Sequence, residues 1–147
     1  MKRVAIQADD FDVATELAAL EQLGGGGIAS FTGVVRGEGG LIALELEHYP
    51  AMTQAQMTRI VDEAMARWPL LGVSVIHRHG RLEPGARIVF VGTASRHRGA
   101  ALESCAFLID WLKSDAPFWK KEHMSDGATR WVAARAEDEA QALGWKA

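Results

Sequence analysis

Apolar positions recur along this chain in two periods, near 3.6 and 2, and the two alternate in blocks. Arg3 to Gln7 predicts a short first strand. Asp9 or Asp10 can cap a helix from about Asp12 to Leu23, with Val13, Leu17 and Leu20 on one face. Gly24-Gly25-Gly26-Gly27 ends it as a flexible stop. Ile28 to Arg36 and Leu41 to Tyr49 predict two strands, with Gly37-Glu38-Gly39-Gly40 as the loop of a hairpin. In the second strand Leu44, Leu46 and His48 alternate with Glu45, Glu47 and Tyr49, the period of a half-buried strand.

Pro50 stops that strand, and Thr53-Gln54-Ala55-Gln56 reads as a capping box. Met57, Ile60, Val61, Ala64, Met65 and Trp68 then follow helical spacing until Pro69. Val73 to His79 and Arg87 to Ser95 predict two more strands around the turn signal Leu82-Glu83-Pro84-Gly85. A helix from about Gly99 to Ser114 carries Ala101, Leu102, Cys105, Leu108, Ile109 and Leu112 as its stripe, and Pro117 closes it. Arg130 to Ala134 suits a last strand, and Glu137 to Leu143 a final helical turn or two. The predicted order is β-α-β-β-α-β-β-α-β. Strand pairs between helices favour an α+β fold in one domain over residues 1–147, with a mixed or largely antiparallel sheet and flanking helices.

Composition narrows the function classes. The chain has 147 residues, 48% hydrophobic and 24% charged, in the range of a globular domain. A net charge of −3 gives no nucleic-acid signal, so any anion site is a local cluster of bases. No apolar run approaches the roughly 18 residues of a membrane span. The N-terminus turns acidic at Asp9-Asp10 before an apolar run develops, so no signal peptide is expected. One cysteine, Cys105, excludes an internal disulfide and fits a cytoplasmic location. Its place in a helix stripe marks it as a core residue.

Several chemistries lack their motifs. Gly24 to Gly27 has neither the Lys-Ser/Thr of a phosphate loop nor dinucleotide spacing. His77-x-His79 offers two imidazoles but no third metal ligand, so partly exposed strand histidines are expected there. Two basic clusters remain. Ser95-Arg96-His97-Arg98 lies where a strand yields to a helix, and free N–H groups there favour an anion. A solvated basic turn is the alternative. Lys113 to Lys121 sets Lys113 at the border of an apolar stripe and Lys120 just after Pro117-Phe118-Trp119. A lysine beside bulky apolar groups loses solvation and becomes usable as a base or nucleophile; dipole-pairing lysines at a helix C-terminus are the alternative. Arg36, Arg130 and Arg135 extend the theme of bases at element ends.

These segments resemble the large subunit of molybdopterin synthase, the MoaE family. The resemblance is carried by Phe31-Thr32-Gly33-Val34-Val35-Arg36, Leu46-Glu47-His48-Tyr49-Pro50-Ala51-Met52 and Val75-Ile76-His77-Arg78-His79-Gly80. Ser95-Arg96-His97-Arg98, Ala116-Pro117-Phe118-Trp119-Lys120-Lys121-Glu122 and Arg130-Trp131-Val132 carry it further, over about residues 28 to 135. It implies an α+β fold with a hammerhead-like part and a homodimer within a two-plus-two heterotetramer. The partner implied is a small ubiquitin-like sulfur-carrier subunit whose C-terminal Gly-Gly ends in a thiocarboxylate. The substrate implied is cyclic pyranopterin monophosphate, which gains two sulfurs to become the molybdopterin dithiolene. By the same resemblance Lys113 and Lys120 are the catalytic lysines, and Phe31, Arg36, His97, Arg98, Arg130 and Arg135 bind substrate. No metal or cofactor is implied. Two departures stand out: the short glycine loop 37–40, and Val34 where a polar residue is expected. The first 25 residues carry no motif of the family. A non-catalytic scaffold for a ubiquitin-like partner, or another small phosphoester enzyme, are the other classes these residues allow.

Overall fold

Pleated strands with one buried face account for most of this molecule, and they divide between two sheets. The computed structural model describes residues 1–132 and 136–146. In chain order the elements are β1 (Lys2–Gln7), α1 (Val13–Glu21), β2 (Gly27–Val34), β3 (Leu41–His48), α2 (Pro50–Arg67), β4 (Leu70–Arg78), β5 (Gly80–Leu82), β6 (Arg87–Ser95), α3 (Arg98–Ser114), β7 (Phe118–Met124), β8 (Thr129–Val132) and α4 (Ala136–Leu143). The first sheet runs β1-β4-β6-β2, with β1 parallel to β4 and the other pairs antiparallel. The second, β5-β3-β7-β8, is antiparallel throughout. The α+β class read from the sequence is the one adopted. No helix among the described residues is long and apolar enough to cross a membrane.

Alternation along β4 and β6 assigns their side chains to two helical layers. Val73, Val75, Val89 and Val91 join the core that α2 and α3 cover, with Met57, Val61 and Leu108. Ile76, Phe90 and Ala94 face the other way, under Leu20 of α1. Each such large side chain contributes about 1.5–3 kcal/mol by leaving water. His77 has the parity of Val73 and Val75, so it projects on the α2–α3 side, where the second sheet begins. Thr93 has that parity too, and its hydroxyl donates to the Ala101 carbonyl at 2.7 Å, fixing α3 against β6.

Four local readings differ from the structure. β2 and β3 are not a hairpin: β2 pairs with β6, and β3 with β5 and β7. After β2 the chain stays beside the start of β6, with Val35 N–H on the Ala86 carbonyl and Gly85 N–H on the Val35 carbonyl. Gly39 and Gly40, at φ +62° and +84°, then turn it into the other sheet. Helix α2 starts at Pro50 and not at a Thr53 cap. Proline at the first helical position needs no N–H partner and already has helical φ. Thr53 lies buried within the first turns, and its hydroxyl donates to the Pro117 carbonyl at 3.2 Å. Strands β5 and β7 were absent from the predicted order.

The fourth concerns Gly24 to Gly27: Gly24, at φ +83°, is the expected glycine stop after α1, while Gly25 to Gly27 form a close-contact surface. A Cβ on Gly25 would overlap the Ser95 carbonyl, and one on Gly26 would stand 2.7 Å from the Arg96 carbonyl oxygen. Gly27 lies within 3.0 Å of Arg98 Cα by the same construction. The glycines therefore seat the turn that starts α3. Gly25→Ala or Gly26→Ala should cost about 1–3 kcal/mol through overpacking against backbone. Gly99→Ala, which has nothing within 4 Å, should be neutral or up to about 1 kcal/mol stabilising. Urea unfolding midpoints test the contrast; equal shifts for all three would remove the close-contact explanation.

Candidate active site

The two sheets meet beside the end of α3 and leave a cavity of about 380 Å³. Its wall takes Arg36 from the end of β2, His77 from β4, Lys113 from α3, Phe118 and Lys120 from β7 and Asp138 from α4. Alternation explains the β7 contribution: Phe118, Lys120 and Glu122 share one face, paired across the ladder with His48, Leu46 and Leu44. Lys120 thus stands opposite Leu46, which is 2% exposed.

That setting tunes Lys120. Burial holds its pKa below the ordinary lysine value, the charge of Lys113 lowers it further, and the carboxylate of Asp138 pulls it back up. Lys113 occupies the last turn of α3, and its Nζ lies 5.9 Å from the Phe31 ring centroid. An amine that gives up its proton easily, next to a second cation, suits proton transfer at an anionic substrate. Asp138 depends on the C-terminal segment being held down. Trp145 Nε1–H donates to Asp110 at 2.6 Å, and Arg67 donates to the Trp145 carbonyl at 2.8 Å while lying among Trp68, Phe107 and Trp145.

The remaining predicted residues fall in three places. Arg36 is exposed at the cavity mouth, and among the described residues its one ion pair is a loose 4.0 Å contact with the exposed Glu38. Such a pair is worth little and leaves the guanidinium available. Arg130, on β8, is bound to Glu122, whose carboxylate lines the cavity. His97 and Arg98 are exposed at the opposite end of α3, whose first N–H groups have no side-chain cap. At a rise of about 1.5 Å per residue, Arg98 lies roughly 20 Å from Lys113. One chain therefore brings Phe31, Arg36, Lys113 and Lys120 together and does not bring His97 and Arg98 to them. Arg135 lies outside the described residues.

His77 and Asp138 are cavity residues that the sequence reading did not assign to the site. The expectation of partly exposed strand histidines fails for His77, which is 4% exposed and stacks on Phe118 with centroids 3.8 Å apart and planes 14° apart. Its parity with two core valines was the available signal. His79 lies beyond β4, with its ring 4.5 Å from that of His48. Among the described residues no group of His, Cys, Asp and Glu is set to hold a metal. Cys105 is buried as expected, its thiol pushed up to about 12 by burial. The second sheet's outer surface exposes Trp119 and Trp131, with Tyr49 beside Trp119.

Two pH effects follow. Burial pushes His77 down to about 3 from an ordinary value of 6.5. Between those values the unfolded chain binds the proton that the folded chain refuses. Stability should therefore fall as the pH drops below about 6.5, by up to about 1.4 kcal/mol per unit from this group. Urea unfolding at stepped pH should show a flatter slope for His77→Gln; an unchanged slope would mean the folded ring takes its proton normally. Asp138→Asn removes the charge that favours the Lys120 ammonium, so the amine should become reactive at lower pH. Residue-resolved amine acylation against pH measures this, and a move to higher pH would contradict the assigned contact.

Residues 6–115 match the MoaE protein family. The molybdopterin synthase catalytic subunit of Mesorhizobium japonicum is 55% identical to this chain, over 97% of it and 92% of the relative. A molybdopterin biosynthesis MoaE protein from Burkholderia ambifaria MC40-6 is 47% identical, with a TM-score of 0.85 over 100% of this chain and 99% of the other. A molybdopterin synthase from Staphylococcus aureus, 28% identical, reaches a TM-score of 0.80 over 90% and 98% of the two chains. The similarity includes the N-terminal segment in which no motif was visible. The cavity with its two lysines is thus that of a chain that belongs to the MoaE family, the catalytic subunits of molybdopterin synthase.

Proposed function

We propose that sulfur passes in this cavity from the C-terminal thiocarboxylate of a small ubiquitin-like carrier subunit onto cyclic pyranopterin monophosphate, building the dithiolene of molybdopterin. The observation that carries the reading is Lys120, an amine driven toward neutrality beside Lys113, with the free guanidinium of Arg36 at the mouth. The thiocarboxylate sulfur forms a bond to a substrate carbon as a C–O bond of that carbon breaks, the oxygen leaving with the opened phosphate in one transfer and as water in the other, and a lysine relays the protons these steps require. Water then takes the acyl group, so the carrier leaves as a carboxylate and the sulfur stays behind. No electrons are gained or lost. Arg36 meets the phosphate with paired N–H donors, and Arg130 can leave Glu122 to join it. The carrier's Gly-Gly tail, without side chains, lies extended near Lys113 and residues 117–120. The cytoplasm is the compartment proposed.

The distance along α3 gives His97 and Arg98 a role only across a subunit boundary. In this reading two copies form a homodimer, each basic helix start reaches the other copy's lysines, and two carriers complete a heterotetramer. The exposed Trp119 and Trp131 supply apolar surface for such contacts. A mere scaffold for the carrier would have no use for a half-buried lysine with a lowered pKa.

Product formation from purified carrier thiocarboxylate and the cyclic precursor tests the chemistry. Lys113→Ala and Lys120→Ala should each lose about 100-fold or more while still folding. Near-normal turnover in either would remove that lysine from the mechanism. Mixed dimers test the assembly. Lys113→Ala and Arg98→Ala chains, each inactive alone, should regain about a quarter of wild-type activity on exchange, because half the dimers carry one complete site. No recovery, with exchange shown by mass, would place Arg98 outside the shared site.

A further inference from the structure

Position and hydrogen bonding leave His77 with one free polar atom. The ring is 4% exposed and lines the cavity. Its Nδ1 lies 2.8 Å from the Arg78 carbonyl oxygen. A carbonyl can only accept, so Nδ1 carries the hydrogen and donates it. A neutral ring then has a bare lone pair on Nε2. No residue among those described bonds to Nε2, yet none of their fully buried side-chain nitrogens or oxygens is left without a partner. Nε2 is therefore not sealed in protein and opens to the cavity.

The cavity side of the ring adjoins Lys120. Phe118 lies flat against His77, and Lys120 is two residues further along β7 on the same face, roughly 6–7 Å on. The charges of Lys120 and Lys113 both act on the ring. Of the carboxylates on this wall, Glu122 holds Arg130, and Asp138 acts on Lys120 through its charge. His77 offers an uncharged acceptor that neither cancels the ammonium nor takes its proton.

We propose that His77 is a positioning residue: on rotation of the Lys120 side chain, the Nε2 lone pair, without a partner among the described residues, accepts a hydrogen bond from Lys120 and aims that amine into the cavity. The Arg78 carbonyl sets the tautomer, and Phe118 sets the plane of the ring. The inference rests on the assignment of Lys120 to the reaction, but the hydrogen bond itself can be tested without turnover.

Long-range 1H–15N spectra of the histidine-labelled chain provide that test. His77 should show hydrogen on Nδ1 and a lone pair on Nε2 at neutral pH. Lys120→Ala should move the Nε2 resonance toward that of an unbonded nitrogen, and Lys113→Ala should move it much less. Hydrogen on Nε2, or no response to Lys120→Ala, overturns the proposal. In the turnover assay, His77→Phe keeps the stacking and loses the acceptor, and kcat should fall about tenfold with little change in KM. His77→Gln, whose amide reaches the position of Nε2, should recover most of that loss. Equal losses in both variants would count against it. A wild-type chain that makes no product would sink the proposed reaction, while the spectra would still decide the hydrogen bond.

Discussion

Lys113 and Lys120 open into one cavity, and the repulsion between two like charges on its wall governs what surrounds them. Lys120 has an apolar partner directly across the ladder, so burial falls mainly on it. Lys113 stands at the negative end of α3 and near the face of Phe31, both of which attract a cation. Asp138 moderates the pair from α4, an element held by Trp145 and Arg67 on the far side of α3. The C-terminal segment thus bears on the site through the Asp138 carboxylate, while its anchors Trp145 and Arg67 stand outside the cavity wall.

Helix α3 sets the scale of the molecule. Thr93 fixes its early turns to β6, and the glycines at 25–27 seat its first residues. Its last turn delivers Lys113. The 17-residue length of α3 keeps the basic start and the lysine pair apart. No side-chain movement closes a gap of roughly 20 Å. Uncapped N–H groups and exposed cations at one end, and a cavity holding Lys113 and Lys120 at the other, are parts that one chain cannot join.

Most of the fold was legible because most of it follows a period. β6 and the body of α2 and α3 bury unbroken apolar faces, and their limits came out within a few residues. β7 was invisible for a physical reason. Its inward residues are Phe118, Lys120 and Glu122, which line a cavity instead of filling a core, while Trp119 lies outward and exposed. Its pattern is therefore inverted. The supposed hairpin failed because loop length shows that two strands can pair, but not that each has a better partner elsewhere. The lysines were found by motif, since local physics left a bland alternative standing. The roughly 20 Å that separates His97 and Arg98 from them needed the helix in three dimensions.

His77 shows why such departures gather at the site. Its neighbours of the same parity, Val73 and Val75, are core residues, and an apolar side chain would satisfy the packing as well. Burying an imidazole there costs solvation, and its pKa records the cost. A polar group held in a core position against that penalty, with one nitrogen bonded to Arg78 and the other left open, is better explained by the cavity than by the fold. The same reasoning covers Lys120, whose place opposite Leu46 would suit an aliphatic side chain. Both residues occupy sites that packing would assign to carbon, and both face the same cavity.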